Sequence, residues 1–331
     1  MKKIAVIFFA FLFSLALFPS FSEGFSLSVT PTFGRSQGVL DEILYHSRDT
    51  SKKISLLEWE RNVWLYGADI SSSFRRFRAD FSFSSAVQSC SGEMRDSDWL
   101  NTSDYSMKTT YSVGDIDAEG NIDLSLSLSF DALKTSCFSL SPVVSAQYEY
   151  DSFSRGKDAE GWYGQSDYSS DGKMHNWYDG EAKHFPTEYY WSDDKQKYVH
   201  QVLGGIDYNR HTFYSWFGLR ASFLAGKFSL GFQFLVSPYT YFSAEDTHHG
   251  SSSDSVYHLI QSGSFSYYKV SSDFSYEISR IFSVTLSTEM LFGETLKGDL
   301  YSDWYLNTLQ PSGGDALAFT SKLGCRIRIL N

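Results

Sequence analysis

Hydrophobic and polar residues alternate with a period of two along most of this chain. One stretch has Ile122, Leu124, Leu126, Leu128 and Phe130 with Asp or Ser between them. Successive side chains of a β-strand point to opposite faces of the sheet, so this pattern is typical of strands that present one apolar face. The alternation predicts ten strands, near residues 25–45, 54–74, 75–90, 121–133, 136–154, 199–222, 227–243, 263–278, 281–293 and 314–330.

Short and long connections alternate between these strands. Tight turns are predicted around 131–134, 225–227 and 279–281. The remaining connections are long and polar, at 46–53, 91–120, 155–198, 244–262 and 294–313. Outer-membrane barrels have an even number of strands, with tight turns at the periplasmic end and long loops outside. We therefore predict an all-β fold, a ten-stranded antiparallel transmembrane β-barrel with long extracellular loops.

The N-terminus has the features of a targeting segment. Lys2 and Lys3 precede an apolar run that ends at Pro19. The run is about 15 residues long, short of the roughly 20 that a spanning helix needs. We therefore predict a signal peptide at residues 1–22 and a single barrel domain at 23–331. An exported barrel of this kind is expected in the outer membrane of a Gram-negative-type bacterium, with outer-membrane lipid and the barrel-assembly machinery as partners.

Composition supports this picture and narrows the partners. The 18% of aromatic residues argues against disorder. A mean hydropathy of -0.27 taken alone would indicate a soluble protein, but a polar barrel lumen and polar loops also produce it. The net charge of -11 argues against nucleic acid and favours cationic peptides. The three cysteines are far apart and form no metal or redox motif, and a bridge between two of them is left open.

The first candidate for chemistry is a pair of aspartates. Asp96 and Asp98 stand two residues apart at the start of a predicted external loop. In an extended chain both would project from the same face, where two carboxylates can hold a water molecule or share a proton. A solvated acidic loop or a weak calcium site would have the same spacing.

The second candidate is a carboxylate beside a histidine. Asp246 and His248 follow a strand that is predicted to end at Ser243. A carboxylate fixes the tautomer of a neighbouring imidazole and raises its basicity, as in a general-base dyad. A polar loop with a chance histidine is the plain alternative. The other histidines have no metal-ligand spacing, and no phosphate-binding glycine loop is present, so we expect no cofactor and no metal.

Several segments resemble the omptins, the outer-membrane endoproteases of Gram-negative bacteria, and they follow the same order along the chain as in that family. Met94–Trp99 is similar to the family segment that carries the catalytic aspartate pair, and Asp246–His248 is similar to its Asp-x-His dyad. Further similarity covers 38–45, 53–59 and 265–268. The resemblance extends over essentially the whole mature chain and implies a ten-stranded barrel with its active site facing outside.

The resemblance also implies an aspartyl-type endopeptidase that forms no covalent intermediate. His248 would be the general base that takes a proton from water, and Asp246 would orient it. Asp96 and Asp98 would hold the nucleophilic water and stabilise the tetrahedral intermediate, with at least one of them protonated. The substrate would be a cationic peptide or a host protein.

The resemblance is incomplete at the specificity pocket. Omptins prefer basic residues at the cleaved bond, and Glu42 matches one of the two pocket carboxylates. The second position holds Ala244, and Glu245 beside it would point the other way in an extended chain. We therefore predict a weaker or altered preference for Arg and Lys.

Two other functions are compatible with the same barrel. The aromatic-rich segment 155–198 would suit an adhesin or surface receptor with weak or no catalysis, because such loops bind proteins and glycans well. A small pore is the third reading, although ten strands leave little lumen once side chains fill it.

Overall fold

The structure is a computed structural model that describes residues 24–87, 90–101, 103–156, 160–164, 174–176, 187–192, 197–202, 205–249, 254–302 and 308–330. The predicted signal peptide lies outside these residues. Among the described residues no helix is long and apolar enough to cross a membrane.

Strands account for most of the described chain. They are β1 (Phe25–His46), β2 (Asp49–Phe74), β3 (Phe77–Ala86), β4 (Cys90–Asp98), β5 (Thr110–Phe130), β6 (Leu133–Lys134), β7 (Phe138–Arg155), β8 (Glu160–Gly164), β9 (Met174–Asn176), β10 (Thr187–Ser192), β11 (Lys197–Val202), β12 (Ile206–Ala225), β13 (Phe228–His248), β14 (Ser255–Gly263), β15 (Tyr267–Glu277), β16 (Phe282–Gly293), β17 (Leu296–Ser302) and β18 (Thr308–Leu330).

These strands form a closed ring of ten. Seven positions are single long strands, and three are split into consecutive pieces, β3 with β4, β14 with β15, and β16 with β17. All pairings in the ring are antiparallel, and the pairing of β18 with β1 joins the two ends of the chain. The predicted all-β, ten-stranded antiparallel barrel is confirmed.

The alternation seen in the sequence separates an apolar outer wall from a polar lumen. On β13, Phe228, Leu230, Phe232 and Phe234 are exposed, whereas the residues between them face inward. Exposed large apolar side chains recur on the other strands and form what we call the apolar belt: Phe33, Leu126, Leu128, Val144, Phe217, Leu219, Val270, Leu286, Met290 and Phe319. Such a belt suits contact with lipid chains.

Tight turns close the end of the barrel below the belt, as predicted. Only Gly226 and Lys227 join β12 to β13, and Gly226 has a φ of 61°. Glycine adopts this left-handed conformation without steric cost, and a two-residue hairpin needs it. Arg75, in the two-residue turn between β2 and β3, also has a positive φ, of 57°.

Above the belt the strands continue much further than predicted. Much of the expected loops 91–120, 244–262 and 294–313 belongs to β4, β5, β13, β14, β17 and β18. The cause is that water contacts the outer wall there, so no row of lipid-facing apolar residues marks the outer side of each strand, and the alternation weakens. We call this part the collar, comprising the described residues within 40–60, 90–120, 149–155, 206–211, 242–263 and 296–316.

The collar has an apolar and aromatic interior. The fully buried ring of Trp59 stacks on Tyr208 at 5.1 Å and on Phe153 at 6.0 Å, which joins β2 to β12 and β7 across the lumen. Lower in the barrel the lumen is polar. Asp80 pairs with Arg78 at 2.9 Å and with Arg220 at 3.0 Å beside a cavity of about 310 Å³.

The break between β3 and β4 preserves the direction of the side chains. Leu65 of β2 pairs with Ala86 of β3, and Trp59 pairs with Met94 of β4. Even-numbered residues therefore face the lumen on both sides of the break.

No disulfide joins the three cysteines, which are all exposed.

Candidate active site

The two aspartates lie on a strand, not in a loop. Near the end of β4, Asp96 pairs with Leu57 of β2, and Asp98 pairs with Ser55 of the same strand. Both carboxylates face the lumen at the open end of the barrel. The expectation that they share a face is correct, and the expectation of a loop is wrong because β4 extends through both residues.

Asp246 and His248 occupy the corresponding place on β13. The strand does not end at Ser243 but continues to His248, so that the dyad is held between β12 and β14. Nε2 of His248 lies 2.7 Å from Oδ2 of Asp246. Asp246 is almost fully buried, whereas the imidazole is half-exposed and packs edge-on against Tyr257.

The two pairs face each other closely enough for their charges to interact. Burial raises the pKa of Asp96, and the negative charge of Asp246 adds to this, while Arg155 and His248 act in the opposite direction. Oδ1 of Asp96 and Oδ1 of Asp246 are both buried and have no hydrogen-bond partner among the described residues. Because an unsatisfied buried carboxylate oxygen is costly, such atoms are typical of sites that complete their hydrogen bonds with water or substrate.

The aspartate pair is arranged to retain a proton. Burial, followed by the charge of Asp96, raises the pKa of Asp98 to about 7, against the effect of a hydrogen bond from Ser55. Two close carboxylates do not ionise together cheaply, so one stays protonated near neutral pH and can donate a hydrogen bond.

The histidine is set up as a base. Burial lowers the pKa of His248, but the hydrogen bond and the charge of Asp246 outweigh it, so the pKa is raised above its ordinary value. With the Nε2 hydrogen donated to Asp246, Nδ1 is the nitrogen left to accept a proton.

The predicted pocket residue lies next to this site. Glu42 is buried, and burial, then the charges of Asp246 and Asp96, raises its pKa well above the ordinary value. Its Oε2 has no hydrogen-bond partner within the described ranges. Ala244 faces inward and pairs across the strands with Arg210. Glu245 points outward, as predicted, and pairs with His258 at 3.7 Å.

Two cations, Arg155 and Arg210, were not predicted to lie beside the site. Arg155 is fully buried at the end of β7, where its Nη1 lies 3.2 Å from Oγ of Ser112, the residue paired with Asp96. Burial lowers its pKa to about 10, so it keeps its charge at neutral pH. Arg210 lies 3.8 Å from the centre of the Phe242 ring and acts against the raised pKa of Glu42. Both are single basic residues in polar stretches, so only the fold reveals their position.

This geometry can activate water for attack on a carbonyl group. It combines an oriented imidazole, a carboxyl group with a raised pKa, and buried oxygens without a partner among the described residues, all at the open end of a rigid barrel. In the part of the chain that the structure describes, no group of three or more His, Cys, Asp or Glu residues could hold a metal ion.

The fold and the site define a ten-stranded outer-membrane β-barrel with a polar site at its open end. The model of the omptin family matches residues 23–302, and this chain belongs to the omptin family. It is an outer-membrane protein of the Gram-negative type, and the open end that carries the site faces the cell surface.

Solved structures agree with the assignment of the fold. The crystal structure of the outer membrane protease OmpT from Escherichia coli aligns with a TM-score of 0.73 at 17% identity, covering 92% of this chain and 97% of that one. The translocator domain of the autotransporter NalP from Neisseria meningitidis aligns over 99% of this chain and 98% of that one, with 10% identity and a TM-score of 0.33, too low to bear on the argument. A comparison with curated protein sequences found no significant match.

Proposed function

We propose that this protein is a surface-facing endopeptidase that hydrolyses peptide bonds of cationic peptides or host proteins. The observation that carries the proposal is the convergence of Asp96 and Asp98 with the hydrogen-bonded pair of Asp246 and His248. Family membership supports the same activity, because a protease of the same fold is known.

The proposed mechanism needs no covalent intermediate. Nδ1 of His248 takes a proton from a water molecule held by Asp96 and Asp98, and the oxygen of that water forms a bond to the carbonyl carbon. The carbonyl electron pair moves to its oxygen, which accepts a hydrogen bond from protonated Asp98. The C–N bond then breaks as His248 returns its proton to the leaving amine.

The preference of this site for basic residues should differ from that of a pocket with two carboxylates. Glu42 supplies one carboxyl group, whose raised pKa disfavours its charged form, and Ala244 supplies none, while Arg210 acts against the raised pKa of Glu42. We therefore propose a weakened preference for Arg or Lys at the cleaved bond, because each lost charged hydrogen bond is worth about 1.5–3 kcal/mol.

The test uses the full chain refolded in detergent micelles and a set of internally quenched peptides that contain basic residues. His248→Ala should lower kcat by about 10²–10⁴-fold, the usual contribution of a general base. Asp98→Ala should lower it by about 10²–10³-fold, the usual effect of removing a stabilising donor. His211→Ala is the matched control, since His211 is an exposed residue of the outer wall that contacts Tyr148.

Equal cleavage by the wild type and both site variants would refute the proposal. Tight binding of host proteins with no cleavage of any peptide would instead favour the adhesin or receptor function.

A further inference from the structure

A basic and aromatic surface lies at the tip of the collar, where the start of β2 meets the connection between β4 and β5. We call it the basic rim, formed by Lys52, Lys53, Trp99, Tyr105 and Lys108. We propose that the basic rim binds an acidic segment of the polypeptide whose scissile bond lies in the neighbouring site. This inference rests on the proposed peptidase function and adds a second element of substrate recognition to it.

Each lysine of the rim lies close to an aromatic ring. Nζ of Lys53 is 4.4 Å from the centre of the Trp99 ring, and Nζ of Lys52 is 5.1 Å from that of Tyr105. Nζ of Lys108 is 4.9 Å from the ring of Tyr111 and 5.4 Å from that of Trp99. Contacts within about 6 Å are attractive. An aromatic ring positions an ammonium group without neutralising its charge, so these lysines can still bind an anion.

The rim carries more lysines than carboxylates, because only Asp49 and Asp104 lie among Lys52, Lys53 and Lys108 in the described part of the chain. Lys52 has a half-exposed ion pair with Asp49 at 3.4 Å, whereas no ion pair joins Lys53 or Lys108 to a carboxylate in the described part of the chain. The whole protein carries a net charge of -11, and the neighbouring site is lined by carboxylates. A local excess of lysines therefore creates a positive surface beside a negative cleft.

The rim and the site are parts of one hairpin. Trp99 directly follows Asp98, and the backbone N–H of Thr109 donates to the carbonyl of Asp98 at 2.7 Å. Nζ of Lys108 donates to Oγ of Ser97, between the two aspartates, at 2.9 Å. A bound chain in extended form advances about 3.3 Å per residue, so a residue about three positions from the cleaved bond can reach the rim.

The shape of the surface also suits a peptide. A depression of about 540 Å³ lies over the rim. It is lined by Lys52, Lys53, Trp99 and Tyr105, by serine hydroxyls, and by Asp104, whose carboxylate accepts hydrogen bonds from Ser106. Serine hydroxyls and lysine ammonium groups together offer donors to carboxylates, and the two rings offer apolar area. A basic residue for the cleft and acidic residues for the rim would make the substrate dipolar.

The experiment compares two peptides with the same basic cleavage sequence. One carries a Glu-Glu pair and the other a Gln-Gln pair, three residues from the cleaved bond. Both peptides are made with the pair on the N-terminal side of that bond and again with the pair on the C-terminal side. At low salt, wild-type kcat/KM should be about threefold to tenfold higher for one of the two Glu-Glu placements, as expected for a few exposed ion pairs. The preference should disappear in Lys52→Gln/Lys53→Gln and decrease as salt is added.

Controls separate this inference from the peptidase proposal. Lys134→Gln/Lys227→Gln removes the same charge at the opposite end of the barrel and should keep the preference. The Gln-Gln peptide reports whether the rim variant is folded and active. A preference that persists in the rim variant, or that is absent from the wild type at both placements, overturns the inference.

A binding measurement covers the case in which no peptide is cleaved. An acetylated Glu-rich hexapeptide should bind the wild type more tightly than the rim variant, measured by tryptophan fluorescence. Equal binding to both proteins, or binding only of an anionic oligosaccharide, would also overturn the inference, while absent cleavage alone contradicts only the peptidase proposal.

Discussion

At the scale of single residues, Asp98 and His248 must be in opposite protonation states for the proposed reaction. His248 has to be neutral, so activity should rise as pH increases through its pKa, which lies above the ordinary value. Asp98 has to be protonated, so activity should fall as pH increases past about 7. The profile of kcat/KM against pH should therefore be a narrow bell near neutral pH.

The alkaline limb of this profile can be assigned by substitution. Asn at position 98 keeps a hydrogen-bond donor at every pH, so Asp98→Asn should lose the alkaline limb and keep the acid limb that belongs to His248. The measurement is kcat/KM between pH 5 and 9 for the two proteins. An unchanged alkaline limb in Asp98→Asn would assign that titration to another group.

Position 244 is the single residue that should control charge preference. Ala244→Asp would add a second carboxylate to the pocket proposed around Glu42, and the ratio of kcat/KM for an Arg peptide over its Gln counterpart should rise about tenfold, equivalent to about 1.4 kcal/mol. Ala244→Asn, which has the same size without the charge, is the matched control. A similar rise in the Asn variant would show that shape, and not charge, sets the preference.

At the scale of strands, the apolar belt could be predicted from the sequence and the collar could not. Phe228 to Phe234 alternate with polar residues because one face meets lipid and the other meets the lumen. Residues 244–248 show no such contrast, since Glu245 faces water while Asp246 faces a polar site. Short motifs identified the four proposed catalytic residues, but Arg155 acts from a distant strand and leaves no local pattern.

The strands of the collar depend on one aromatic stack. Trp59 is fully buried and touches Tyr208 and Phe153, so Trp59→Ala should lower the free energy of unfolding by about 3–5 kcal/mol. The matched control is Trp64→Ala on the outer wall, where the ring is 42% exposed and stacks on Phe33. Urea unfolding in micelles measures the free energy of unfolding of both variants. An equal decrease in the two would show that the buried stack stabilises the protein no more than the exposed one.

At the scale of the whole molecule, ion pairs that cross the lumen connect non-adjacent strands and obstruct the path of ions. Arg78, Asp80 and Arg220 bridge β3 and β12 inside the belt, and Arg61 lies above them with Glu149 and Asp151. These ion pairs cross the space that ions would need. The pore function considered from the sequence is therefore not the one we propose.

Planar bilayers provide the corresponding measurement. The wild type should show no steady conductance, whereas Arg61→Ala/Arg220→Ala, which removes large side chains from two levels of the lumen, should show a small one. Steady single-channel currents in the wild type would contradict the view that these ion pairs block the lumen.

The split third strand has a consequence for how this protein tolerates insertions and deletions. Even-numbered residues face the lumen in both β3 and β4, so the break between them conserves parity. Loss of one residue there would turn Asp96 and Asp98 to the outer wall, whereas loss of two would leave them facing inward. The connection can therefore change length during evolution in steps of two, while a change of one removes the aspartate pair without altering either aspartate.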